Sequence, residues 1–259
     1  MDGSLILLGF GASVIVSLAT GLGALPVLFV RKISARLQDG LLGFSAGVML
    51  AASFFSLIIP GLRHAEADLG SRMLAGLVVV TAVLIGAATL ALLNRFLPHE
   101  HFVSGPDGAS TPALRRVWLF IIAITLHNFP EGLAVGVGYG GGDFANANTL
   151  AVGIGLQNMP EGLAVATSLL SQNYSRLAAV GIGAATGLVE PIGGLLGVTA
   201  VSLFKPLLPW GMGFAAGAMI FVISNEIVPE THRKGHEALA TTGLMIGLAL
   251  MMLLDVAFG

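Results

Sequence analysis

One short motif with chemical potential is written twice. His127-Asn128-Phe129-Pro130-Glu131-Gly132 is followed thirty residues on by Gln157-Asn158-Met159-Pro160-Glu161-Gly162, and Leu-Ala-Val succeeds both copies (Leu133 to Val135, Leu163 to Val165). Residues four apart share a helix face, so His127 aligns with Glu131 and Gln157 with Glu161. Each Pro removes the helix hydrogen bond to the carbonyl four residues back, Leu126 in one copy and Leu156 in the other. Glu190-Pro191, followed by Gly193-Gly194, repeats the chemistry once more. Each copy lies inside an apolar run long enough to cross a bilayer, where a charged side chain costs about 2.5–3.5 kcal/mol on insertion scales. Freed carbonyls survive there only where protein, water or an ion meets them. Three carboxylates, an imidazole and several amides form a donor set of oxygens plus one nitrogen. Such a set suits Zn²⁺, Fe²⁺, Mn²⁺ or Cd²⁺, and the imidazole disfavours Mg²⁺ or Ca²⁺. There is no cysteine, which excludes thiolate ligation and disulfides. The expected counter-charge is a divalent metal ion that the protein carries across the membrane.

The elements that must position these groups are membrane helices. Of 259 residues, 55% are apolar and 10% charged, with a mean hydropathy of +0.91. Soluble domains carry about 25% charged residues, and a spanning helix needs roughly 20 apolar ones. The chain is expected to be all-α, one domain over 1–259. Its eight spans lie near 4–30, 40–61, 72–97, 116–139, 148–170, 177–203, 208–230 and 239–258. The first run begins at Leu5 with no basic flank and is read as a retained span, not a cleavable signal peptide. Many of the 36 glycines then serve close helix contact. Gly9, Ser13, Ser17 and Gly21 form such a ridge on span 1, with shorter versions at Gly43/Gly47 and Gly243/Gly247. A net charge of -2 implies no nucleic-acid partner.

Lys and Arg set the orientation. With the amino terminus outside, Arg31, Lys32, Arg36, Arg95, Arg115, Arg116, Arg176, Arg233 and Lys234 face the cytoplasm, and only Arg63, Arg72 and Lys205 face out. Both termini are then outside, and spans 4 and 5 run in opposite directions. Glu131 falls about 14 residues from the inner end of its span, roughly 21 Å, and Glu161 about 12 from the outer end of its own, roughly 18 Å. Both sit near the midplane, as an inverted repeat around helices 4 and 5 would place them. His99 and His101 fall in the longest loop, around Pro98 to Pro112. His64, Glu66 and Asp68 are expected in an outer loop, His232 and His236 in an inner one, all solvated. Asp255 stands near the outer end of span 8, at the interface or an entrance.

The double motif, with Glu190-Pro191 after it, resembles the ZIP (Zrt/Irt-like) divalent-metal transporters, in particular their bacterial branch. The likeness extends along the chain, through Phe44 to Met49 in span 2 and Glu226 to His232 in span 7. It implies a two-metal centre. One site would use Met49, His127, Glu131, Gln157 and Glu161, and the adjoining one Asn128, Glu131, Asn158, Glu161 and Glu190. Relatives often have Asp where this chain has Asn158, which weakens the second site, and His where it has Asn225. Met49 reads equally as a gap-filling core side chain. His99 and His101 resemble the family's cytoplasmic metal-collecting histidines. The resemblance also implies a homodimer in the cytoplasmic (inner) membrane. Helices 1, 4, 5 and 6 would move as a transport unit against a scaffold of 2, 3, 7 and 8.

The expected function is transport of a divalent transition metal, Zn²⁺ foremost, as bound substrate, with no cofactor and no enzymatic activity. Without metal, three clustered carboxylates repel one another and hold protons, so metal binding should release protons and uptake should depend on pH. An intramembrane metal-dependent hydrolase is the alternative, since carboxylates and His can activate water. Against it, there is no His-Glu-x-x-His and no suitably placed Gly-x-Ser-x-Gly. A channel fits less well, because tightly coordinating ligands bind ions too firmly for fast conduction.

Overall fold

A computed structural model describes residues 3–30, 33–96, 112–232 and 235–259. Among them the chain forms eight long helices: α1 (Gly3–Leu28), α2 (Ala35–Leu69), α3 (Arg72–Phe96), α4 (Pro112–Gly141), α5 (Phe144–Leu170), α6 (Arg176–Leu203), α7 (Lys205–His232) and α8 (Glu237–Phe258). His99 and His101 lie outside the described residues. The helices start where the sequence supplies caps. Ser34, Asp143 and Ser175 each accept a main-chain N–H three residues on, at 3.2 Å, at the starts of α2, α5 and α6. Gly142, at φ +85°, and the Asp143 cap make the whole connection between α4 and α5. So short a turn forces the two helices antiparallel and sets the two motif copies face to face.

Seven of the eight helices are long and apolar enough to cross a membrane. The exception is α5, whose Asn146, Asn148, Gln157, Asn158 and Glu161 lower its hydropathy. It is packed against α1, α2, α4, α6 and α8, so neighbouring helices take the place of lipid on most of its surface. Apolar side chains on the peripheral helices, among them Leu7 and Ile15 of α1, Met73 and Leu84 of α3, and Leu253 and Val256 of α8, are exposed. They form the lipid-facing surface of a polytopic membrane protein.

The four helices α1, α4, α5 and α6 pack on one another, while α2 pairs with α8 and α3 with α7. Small residues permit this. The ridge on α1 lies on α6, with Gly9 at Val198, Ser13 at Gly194, Ser17 at Gly187 and Gly21 at Ala184. The internal symmetry also reaches further than the α4–α5 pair. Phe44-Ser45-Ala46-Gly47-Val48-Met49 of α2 matches Phe214-Ala215-Ala216-Gly217-Ala218-Met219 of α7, 170 positions later. Gly47 abuts the Leu244 carbonyl of α8, and Gly217 the Val83 carbonyl of α3. In the centre, Gly132 abuts the Glu190 carbonyl of α6 and Gly162 the Thr20 carbonyl of α1. Thr20 and Glu190 are themselves 170 apart.

Three expectations are corrected. Helix α2 does not stop near 61 but continues to Leu69, where Gly70, at φ +64°, ends it in the left-handed conformation. Pro60 is absorbed by a wide π-type turn over Ala52–Ile58. The carbonyl that Pro60 deprives of a helix partner, that of Ser56, accepts Asn146 Nδ2 from α5 at 3.0 Å. His64, Glu66 and Asp68 are therefore helical and not in a loop. His236 is not simply solvated, because its Nδ1 lies 2.7 Å from buried Asp39. Helix α6 spans Arg176–Leu203 as expected, and is interrupted at Leu188–Val189, so that Glu190 begins a second half-helix with Pro191 in its first turn. An acidic group there complements the helix dipole.

Candidate metal centre

His127, Asn128 and Glu131 come from α4, Gln157, Asn158 and Glu161 from α5, and Glu190 from the α6 break. All seven are buried, none more than 2% exposed. Pro130 and Pro160 sit inside helices that continue past them, and the glycine after each Glu lets α4 close on α6 and α5 on α1. That closeness brings the polar groups of four helices within hydrogen-bond reach of one another.

Among the described residues, six of these seven side chains have one atom held and one left open, and His127 has neither ring nitrogen hydrogen-bonded. Glu131 Oε1 accepts Gln157 Nε2 at 2.6 Å, while its Oε2 has no partner. Glu161 Oε1 accepts the Ser45 hydroxyl of α2 at 2.6 Å, while its Oε2 has none. Glu190 Oε1 accepts Asn158 Nδ2 at 2.9 Å and Thr20 Oγ1 at 3.3 Å, and again Oε2 has none. The amides follow suit. Asn128 Nδ2 donates to the Thr186 carbonyl at 2.8 Å and Asn158 Nδ2 to the Val16 carbonyl at 3.3 Å. These two ties are related by the internal symmetry, since Val16 and Thr186 are also 170 apart. The carbonyl oxygens of Asn128, Gln157 and Asn158 are all unpartnered. His127 Nε2 lies 2.9 Å from Glu226 Oε2 of α7 without hydrogen-bond alignment, and Nδ1 has no partner.

A buried, unpaired polar atom costs about 1–3 kcal/mol, more when it is charged. Among the described residues, eight buried side-chain atoms without a hydrogen-bond partner fall on these seven side chains: six acceptor oxygens and both imidazole nitrogens. Packing gives no reason to concentrate that cost here, whereas a passing cation would relieve it. As the side chains stand, no three His, Asp or Glu groups among the described residues already form a cage. Neutral donors occupy one oxygen of each carboxylate instead.

Met49 is fully buried in the main apolar cluster. It lies one turn beyond Ser45 on the same face of α2, with no side-chain hydrogen-bond partner among the described residues. Sequence reasoning missed Thr20 and Ser45. Ser45 had a signal in the Phe-x-Ala-Gly-x-Met repeat, whereas Thr20 becomes visible only once α1 lies on α5 and α6. Glu226 was noted only as the start of the family-like stretch Glu226 to His232, and its approach to His127 depends on a second π-type turn, Ile223–Ile227 in α7. Asp255 accepts the Ser56 hydroxyl at 2.9 Å, tying α8 to α2.

The ZIP Zinc transporter family profile matches residues 100–255. Among curated proteins, the chain is 50% identical to Zinc transporter ZIPB of Bordetella bronchiseptica over 241 residues, covering 93% of this chain and 78% of that one. It is 43% identical to Zinc transporter GufA of Myxococcus xanthus over 97% of this chain and 99% of that one. It is 33% identical to the human Zinc transporter ZIP11, over 93% and 94%. Eight packed helices, a buried cluster of half-satisfied ligand groups and these likenesses agree: the chain belongs to the ZIP zinc transporter family, a family of transporters and not of enzymes.

Proposed function

We propose that this protein carries Zn²⁺, and with it Cd²⁺, Fe²⁺ or Mn²⁺, across the cytoplasmic membrane into the cytoplasm. The ion binds among His127, Glu131, Gln157 and Glu161, with Asn128, Asn158 and Glu190 beside it and Met49 at the α2 edge. The observation that carries this reading is the set of buried atoms left open on all seven polar side chains. Carboxylate oxygens, amide oxygens and one imidazole nitrogen are the donors such ions take. Charged groups in lipid are costly unless paired, so the ion and the carboxylates each cancel the other's cost.

The group α1, α4, α5 and α6 rocks against α2, α3, α7 and α8, exposing the centre first to one side and then to the other. Close glycine-to-carbonyl contacts inside each set support movement of each as a body. Both termini lie outside, on the excess of Lys and Arg at the opposite ends of the helices, and the protein works as a homodimer. The test is zinc uptake by proteoliposomes of the purified chain, with Cd²⁺, Fe²⁺ and Mn²⁺ as competitors and pH recorded on both sides. Saturable uptake lost in Glu131→Gln/Glu161→Gln supports the reading, and uptake retained in that variant would refute it.

A further inference from the structure

We propose that Ser45 is a positioning residue that makes the centre's hold on its ion depend on which side of the membrane it faces. This role rests on the function proposed above, including the movement of α1, α4, α5 and α6 as a group. Among the described residues, four side-chain donors hold the site's carboxylate oxygens. Gln157, Asn158 and Thr20 ride on α5 and α1, the same group as the carboxylates. Ser45 alone comes from the other group, on α2. It is fully buried, with its Oγ 2.6 Å from Glu161 Oε1 and 3.1 Å from the Gln157 carbonyl. A hydroxyl has one hydrogen, and the nearer acceptor, the Glu161 carboxyl oxygen, is the stronger partner.

The internal symmetry fails at this point. The position equivalent to Ser45 on α7 is Ala215, which has no hydroxyl to offer Glu131. Glu131 is held from within its own group by Gln157, whereas Glu161 is held across the boundary between the groups. Hydroxyl-to-carboxylate bonds need about 2.5–3.0 Å between heavy atoms, so a slide of α5 along α2 by about 1–2 Å breaks this one. The other holders travel with their carboxylates. Glu161 then loses the bond that fixes its open oxygen toward the ion, and a ligand that is no longer pre-set binds more weakly. One carboxylate thus distinguishes the two positions of the moving group.

The experiment measures saturable zinc flux from each face of proteoliposomes for the unmodified chain, Ser45→Ala, Ser45→Thr and Thr20→Ala. Ser45→Ala is expected to raise KM from one face about tenfold, the scale of a hydrogen bond to a charged group, and to leave the other KM and Vmax within about twofold. Ser45→Thr restores the hydroxyl and the low KM. Thr20→Ala, which removes a donor inside the moving group, shifts both KM values together. Ser45→Ala changing both KM values equally, or neither, would overturn the assignment, as would Ser45→Thr behaving like Ser45→Ala. If Ser45→Ala does not assemble, Ser45→Cys, of similar size and a weak donor, is held to the same criteria. Absence of saturable flux in the unmodified chain would remove the proposed function itself, and this role with it.

Discussion

His127 Nε2 stands 2.9 Å from Glu226 Oε2, joining the buried centre on α4 to the π-type turn of α7. The imidazole is 2% exposed and the carboxylate 20%, so the pair reaches from the interior toward a wetter edge. A carboxylate this close to one ring nitrogen limits how the ring can turn, and so where the other nitrogen points. Here the other is Nδ1, which has no partner. Glu226→Gln should therefore weaken zinc binding about tenfold or more without unfolding the protein. Calorimetric titration with Zn²⁺ checks this, and unchanged affinity would detach Glu226 from the centre.

Glu131 and Glu161 supply open oxygens from opposite motif copies, and Gln matches Glu in size. Glu131→Gln/Glu161→Gln should keep the helices packed and lose high-affinity metal binding. The comparison is zinc titration beside a thermal unfolding curve. Loss of binding together with loss of fold would indicate a structural role instead.

A Cβ added to Gly132 would overlap the Glu190 carbonyl, and one added to Gly162 the Thr20 carbonyl. Backbone cannot yield as a flexible side-chain tip can, so Gly132→Ala and Gly162→Ala should each cost about 1–3 kcal/mol of stability. Zinc flux should fall with it, because the same contact sets the spacing between the carboxylates. Gly76, which has open space around its Cβ position, is the control: Gly76→Ala should leave melting temperature and flux near those of the unmodified chain.

Asn158 donates to both Glu190 and the Val16 carbonyl. Asn158→Asp adds a charge beside Glu190 and removes both donated bonds. It should raise the number of zinc ions bound per chain and lower thermal stability by about 1–3 kcal/mol. Metal analysis of the dialysed protein gives the first quantity and a melting curve the second. A stoichiometry no different from that of the unmodified chain would show that charge at this position does not limit ion number.

How far the sequence carried the structure depended on whether the signal was local. Two Pro-Glu-Gly copies thirty residues apart marked α4, α5 and the central carboxylates, because spacing acts within single helices, although α5 is too polar for hydropathy alone to mark it. The end of α2 was misjudged for the same reason. Pro60 reads as a helix stop, and nothing local says that Asn146 on a distant helix will satisfy the Ser56 carbonyl. The repeat of Phe44 to Met49 at Phe214 to Met219 was present in the residues but is short and apolar. Only the matching contacts of Gly47 and Gly217 on opposite pairs of helices give it meaning. Thr20, Ser45 and Glu226 matter through partners more than a hundred, or nearly a hundred, residues away, and periodicity carries no information about those.

The central claim is that the open atoms of this cluster receive a divalent metal ion. Its most direct measurement is anomalous scattering from crystals of the protein soaked in Zn²⁺ or Cd²⁺, recorded at the metal's absorption edge. The account predicts a peak between Glu131 and Glu161, within coordination distance of His127. A well-ordered, metal-soaked crystal with no anomalous density between those two carboxylates would contradict it.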